Sequence, residues 1–73
     1  MNFQVEHCRG LVRLIHEGKT TCVINVSRVA FVNAQDKSVV IVFENINKTS
    51  TINLKSEEQA QLVVESIYCA MSC

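Results

Sequence analysis

The sequence predicts a small α+β fold, in which an antiparallel β-meander of four to five strands is closed by one C-terminal helix packed on one face. Much of the apolar content is valine and isoleucine, which are stiff at χ1 and favour a pleated, half-buried surface. Short polar stretches separate the β-branched runs, which indicates antiparallel neighbours. A sustained helical periodicity follows in residues 56–72.

The length of 73 residues leaves room for a single domain. We divide residues 1–73 into an N-terminal arm or extra strand (1–10), the β-meander (11–54) and the helix (56–72). A core of this size rarely supplies more than about 3–5 kcal/mol, so small chains often depend on disulfides, a metal or oligomerisation. Each of these sources of stability is therefore a hypothesis for this chain.

The N-terminal arm allows two interpretations. Phe3, Val5 and His7 alternate as in a strand, whereas Val5 and Cys8 also fit the spacing of a helix that continues past the arm. Gly10 weakens such a helix, because glycine has a low helix propensity. A strand or an extended arm is therefore favoured.

Five apolar, β-branched runs are predicted as strands. They cover residues 11–16, 20–26, 28–33, 38–44 and 49–54. The first two runs can form a hairpin through Glu17, Gly18 and Lys19, because Gly18 can adopt the positive φ that a tight turn needs.

The C-terminal helix is predicted to start at about residue 57. Ser56 and Gln59 have the spacing of a capping box, and Glu57 and Glu58 suit the positive end of the helix dipole. Apolar residues then recur at helical spacing, namely Ala60, Val63, Val64, Ile67, Ala70 and Met71. The helix is therefore amphipathic, with one face suited to pack on a sheet.

Period-two alternation assigns the strand residues to two faces. The face beneath the helix holds Cys22, Ile24, Val26, Val29, Phe31, Val39, Ile41, Phe43, Ile52 and Leu54. The opposite face holds Val23, Ala30, Val32, Val40 and Val42. Residues 39–43 are apolar without a break, as in a strand buried on both sides, whereas one helix covers only one side. We therefore predict that the opposite face is an interface.

The order of these elements resembles the small FlbD-type proteins associated with flagella and swarming. The resemblance spans about residues 11–70 and rests on three features. These are Ile24-Asn25-Val26 before a short turn, the middle strand at residues 39–43, and Ser56-Glu57-Glu58 opening the helix. The resemblance implies an accessory regulatory role.

The overall charge argues against two classes of partner. Seven basic and seven acidic residues give a formal net charge of zero, so net charge attracts neither nucleic acid nor an anionic membrane. No apolar run reaches the about 18 residues of a membrane span, and the first residues lack the pattern of a secretory signal. A cytoplasmic protein of bacterial or phage origin is expected.

The four cysteines allow several hypotheses. Cys69 and Cys73 lie one helical turn apart, and a mixed zinc site can be drawn between them and His7, Cys8 and His16. No Cys-x-x-Cys motif is present, and the two halves of such a site are far apart in sequence. We therefore expect reduced cysteines without metal, in preference to a zinc site or a disulfide.

The sequence offers little for catalysis. His7 and His16 lie in a domain too small to enclose a substrate, and Asp36 lies in a polar turn. Glu57 and Glu58 are explained by the helix dipole, and no glycine-rich phosphate loop is present. A non-enzyme without a cofactor is expected.

The remaining hypothesis is a non-catalytic interaction or regulatory module that binds another macromolecule. The expected partner is a protein, with homo-oligomerisation, and a small phage inhibitor fits the same description. The alternative is a small-molecule or nucleotide binder, with pockets where two copies meet and lined by Arg9, Arg13 or Arg28.

Overall fold

In the computed structural model, which describes residues 3–44 and 48–72, the described strands form two three-stranded antiparallel sheets followed by one helix. The first sheet holds β1 (Phe3–Cys8), β2 (Leu11–His16) and β3 (Lys19–Asn25). The second sheet holds β4 (Val29–Gln35), β5 (Ser38–Phe43) and β6 (Lys48–Asn53), and the helix α1 is Glu57–Ser72. The predicted α+β class is confirmed, with six strands in place of four to five.

Residues 3–8 of the N-terminal arm form a strand. β1 pairs with β2 along its whole length, from Phe3 opposite His16 to Cys8 opposite Leu11. Gly10, with φ of 77°, completes the turn between them, and this positive φ favours glycine because it has no Cβ.

A short 3-10 helix, Val26–Arg28, separates the two sheets, so the strands do not form one continuous meander. The Asn25 side-chain Oδ1 accepts hydrogen bonds from the backbone N–H of Ser27 at 3.1 Å and from its hydroxyl at 2.7 Å. The Val26 N–H donates to the Gly10 carbonyl at 3.1 Å. These bonds turn the chain out of the first sheet, which the predicted single meander did not anticipate.

Both sheets and the helix share one hydrophobic core. Its buried members are Val12, Leu14, Ile24, Val26, Val29, Val39, Ile41, Ala60, Val63, Ile67 and Ala70. The helix contacts β1 and β2 of the first sheet and β4 and β5 of the second. It therefore packs against the inner faces of both sheets.

A β-bulge in β4 reverses the predicted faces of that strand. Val29 lies opposite Phe43 and Phe31 lies opposite Val42, so Ala30 is an extra residue without a partner of its own. Phe31 is consequently 57% exposed, and Val32 packs against the core. The prediction that Phe31 faces the helix and Val32 faces away from it is wrong for this reason.

The helix begins close to the predicted position. The Ser56 hydroxyl oxygen accepts from the Gln59 N–H at 3.2 Å, as expected of an N-cap. The Gln59 side chain accepts instead from the Lys55 N–H at 3.1 Å, one residue before the position expected in a capping box. No helix in the described part of the chain is long and apolar enough to cross a membrane.

Candidate functional site

The five residues of the predicted interface lie in separate places. Val40 and Val42 lie half-buried on the outer face of β5, and Ala30 is exposed in the β4 bulge. Val32 lies on the inner face of β4. Val23 belongs to the first sheet, where it is 54% exposed beside Arg13 on the face away from the core. The structure therefore brings together Val40 and Val42, and it separates Val23 and Val32 from them.

The outer face of the second sheet carries a patch that sequence reasoning described only in part. Strand register places Phe31, Val42 and Thr49 in one row and Asn33, Val40 and Thr51 in the next. We call these six residues the outer patch. Antiparallel partners share a face, so they form one continuous surface. None of the six side chains is charged, and the Phe31 ring is the most exposed apolar group among them.

A signal for Phe31 is present in the sequence. Residues 31–35 read Phe-Val-Asn-Ala-Gln, so Phe31 shares its alternation with the polar Asn33 and Gln35. An alternation counted from these polar residues places Phe31 on the exposed face. An alternation counted from Val29 crosses the bulge and gives the opposite result.

The three arginines of the alternative binding site do not all lie on one surface. Arg13 lies on the outer face of the first sheet and forms an ion pair with Glu6, its cross-strand neighbour. The hydrogen bond and the charge of Glu6 raise the pKa of the Arg13 guanidinium. Arg9 lines a shallow depression with Ser27 and Met71, at the end of the molecule where α1 ends. Arg28 is the last residue of the 3-10 helix, which borders this depression.

A cavity of about 320 Å³ opens between the two sheets, at the end where α1 begins. We call it the end cavity. Apolar side chains from four strands and the segment that follows β6 line it, namely Phe3, Leu14, Cys22, Ile52 and Leu54. Desolvation by burial raises the pKa of the Cys22 thiol, which favours the protonated form. Sequence reasoning missed this cavity.

The residues considered for metal binding do not converge. Among the residues that the structure describes, no group of three or more His, Cys, Asp or Glu side chains is placed to hold a metal ion. Cys8 and Cys69 are exposed free thiols, and Cys22 is a half-buried one. Cys73, the remaining ligand of the zinc site drawn from the sequence, lies outside the described residues.

Comparison with known families gives one match. The model of the glycosyl hydrolase family 30 β-sandwich domain matches residues 10–68, which run from the β1–β2 turn into α1. Neither the curated proteins nor the solved structures yield a significant match.

The matched family corrects the resemblance drawn from the sequence. It is a different family from the FlbD-type proteins, so that assignment is wrong. The features that suggested it, a strand followed by an Asn-Val-Ser turn and a capped last helix, belong to many meanders that end in a helix. They describe secondary structure and do not identify a family.

Proposed function

The chain belongs to the glycosyl hydrolase family 30 β-sandwich domain family, and on this premise we propose that it is a non-catalytic module that acts by binding another protein. The matched family is named for a β-sandwich domain, which is an accessory domain of an enzyme family. The first partner we propose is a second copy of the same chain, bound through the outer patch.

The outer patch is the single observation that supports this proposal most. Val40 and Val42 lie at its centre on the middle strand, with Phe31 on β4 and Thr49 and Thr51 on β6. An exposed apolar surface with a polar border is typical of an interaction site. Aromatic residues are also enriched at protein interfaces relative to the rest of the surface.

The lack of charge on the outer patch favours a second copy as the partner. In a two-fold symmetric dimer the same patch faces itself, so a charged side chain near the symmetry axis would meet its own copy. The six side chains of the outer patch are uncharged, so two copies can meet without such repulsion. The outer face of the first sheet, in contrast, carries the Glu6–Arg13 pair.

The test replaces Val40 and Val42 together with lysine. Both side chains point away from the shared core, so we expect the double variant to keep its helix and sheet content by circular dichroism. Light scattering should show the parent as an oligomer and the double variant as a monomer, because four lysines would face each other in the dimer. Val23→Lys on the outer face of the first sheet is the matched control and should leave the mass unchanged.

A parent that is monomeric at tens of micromolar would contradict self-association, since interfaces of about 800 Å² per partner usually persist at such concentrations. An oligomer that both variants preserve would contradict the outer patch as its interface. The acidic side of α1, with Glu58, Gln61 and Glu65, would then be the next surface to substitute.

The small-molecule or nucleotide binder remains the second hypothesis. Its arginine site has less support, because Arg13 is paired with Glu6 on a different face from the depression that Arg9 lines. Native mass spectrometry distinguishes the two hypotheses, because it reports the copy number and any bound ligand mass in the same measurement.

A further inference from the structure

The described sheets have four edge strands, namely β1, β3, β4 and β6. The first three carry features that hinder pairing with a further strand. The helix α1 packs against β1, β4 contains the bulge at Ala30, and β3 contains a bulge at Thr21. The Thr21 hydroxyl donates to the Leu14 carbonyl at 3.2 Å. Covering elements and bulges are common means by which proteins prevent pairing at an edge.

The strand β6 is regular along its whole length. It pairs with β5 without a register shift, from Lys48 opposite Phe43 to Asn53 opposite Ser38, and it has no second strand neighbour in the part of the chain that the structure describes. After Lys48 its side chains, residues 49–53, are uncharged, whereas charged residues often protect such edges. The side of β6 away from β5, which we call the open edge, therefore presents backbone N–H and C=O groups to a further strand.

The end cavity lies beside β6. Ile52 lines it from β6, and Leu14, Cys22 and Leu54 line it from other segments. Ile52 lies opposite Val39 of the buried core, so its side chain is on the inner face of the second sheet. Partners in paired strands share a face. The residue of an added strand that lies opposite Ile52 would therefore point to the same inner face, where a bulky apolar side chain would contact the apolar lining of the cavity.

We propose that the open edge of β6 binds an extended, uncharged peptide segment of another protein by strand addition, with one bulky apolar side chain of the peptide in the end cavity. The peptide backbone then supplies affinity through main-chain hydrogen bonds, and the side chain in the cavity supplies selectivity. This site is separate from the outer patch, so the Val40→Lys/Val42→Lys variant should bind the same peptide as the parent does. Failure of either proposal therefore leaves the other to be tested by itself.

The side-chain preference is tested with a matched pair of peptides. The probe is a fluorescein-labelled heptapeptide, Ser-Thr-Thr-Leu-Thr-Thr-Ser, with both backbone ends blocked, and fluorescence anisotropy measures its Kd. The same peptide with alanine in place of leucine should bind at least about tenfold more weakly, because it buries fewer apolar carbon atoms.

Backbone pairing is tested by methylating the peptide nitrogens. In a paired strand the N–H groups of alternate residues face the partner. One peptide is methylated at leucine and every second residue, and the other is methylated at the intervening residues. One of the two should bind at least about tenfold more weakly, because it loses several hydrogen bonds to β6, and the other should bind like the probe.

The position of the peptide on the protein is read without any substitution. With the probe at about ten times its Kd, hydrogen exchange measured by NMR should slow about tenfold at the amides of β6 that face the open edge, and it should not slow along β3 and β4. N-ethylmaleimide labelling of Cys22, the one described cysteine that lines the end cavity, should slow by a similar factor. Labelling of the exposed Cys8 and Cys69 should not change.

Several outcomes would overturn the inference. The absence of saturable binding below about 1 mM, a Kd that corresponds to about 4 kcal/mol of binding free energy, would contradict a peptide site. Equal loss of binding, or none, in the two methylated peptides would contradict strand addition. Slower exchange along β3 or β4 in place of β6 would contradict the open edge, and unchanged Cys22 labelling would contradict a side chain in the end cavity.

Discussion

The two sheets have the same number of strands and differ on their outer faces. Each contributes its inner face to one core, with Leu14 from the first sheet and Ile41 from the second among its buried members. The first sheet carries the Glu6–Arg13 ion pair on its outer face. The second sheet carries valines, threonines and the exposed ring of Phe31.

This difference separates the residues needed for folding from those free for binding. The inner residues of both sheets must be apolar, because a 73-residue chain has few residues from which to form its core. The outer residues are not required for this core. On the first sheet they include the charged pair Glu6–Arg13, which solvent can hydrate. The second sheet differs in that its outer patch is uncharged and holds the exposed ring of Phe31, and this difference is the basis of the partner proposed above.

The largest expected effect comes from comparing the two faces of β5. Ile41 is 1% exposed in the core, so Ile41→Ala should cost about 2–5 kcal/mol in the free energy of unfolding. Val42→Ala on the outer patch should cost no more than about 1 kcal/mol in the monomer, because this side chain is only half-buried. Urea denaturation at low protein concentration measures both.

Equal costs at Ile41 and Val42 would show that both faces of β5 contribute to the monomer core, which would remove the distinction between folding and binding residues. A Val42→Ala cost that grows with protein concentration would instead support the outer patch, because association stabilises the folded state by mass action.

The next effect concerns the helix, which contacts both sheets. Ser56→Ala removes the oxygen that accepts the Gln59 N–H, and N-cap losses of this kind cost about 0.5–2 kcal/mol. Because α1 packs on both sheets, hydrogen exchange should accelerate in β2 and β5 by the same factor. Faster exchange in only one of these strands would mean that the sheets open separately and that the helix stabilises one of them.

Much of the secondary structure could be predicted because it depends on local sequence. The strand predicted at residues 11–16 is β2 (Leu11–His16), and the helix expected to start at about residue 57 is α1 (Glu57–Ser72). The patterns that predict these elements, alternating apolar residues and the Ser56 cap, each involve residues only a few positions apart in the sequence.

The division into two sheets and the end cavity depend on distant residues. The 3-10 helix is held by a bond from Val26 to Gly10, which is not visible in the local sequence around Asn25 and Ser27. The end cavity joins Phe3 of β1 to Ile52 of β6, which are far apart in the sequence. Period-two counting also failed across the bulge at Ala30, because an added residue changes which face follows.

The smallest predicted effect compares the hairpin turns of the two sheets. Glu17 in the first sheet and Asp36 in the second both have φ of 53°, a left-handed conformation that costs most side chains energy and that asparagine and aspartate adopt more readily. Glu17→Asn should therefore stabilise the fold by about 1 kcal/mol, the lower end of the cost of this conformation, whereas Asp36→Asn should change little. Thermal unfolding of the two single variants at one protein concentration measures the difference. An equal gain at both turns would contradict the reasoning from left-handed preference, and a loss at Glu17 would mean that its side chain stabilises the first hairpin in a way that its backbone conformation does not reveal.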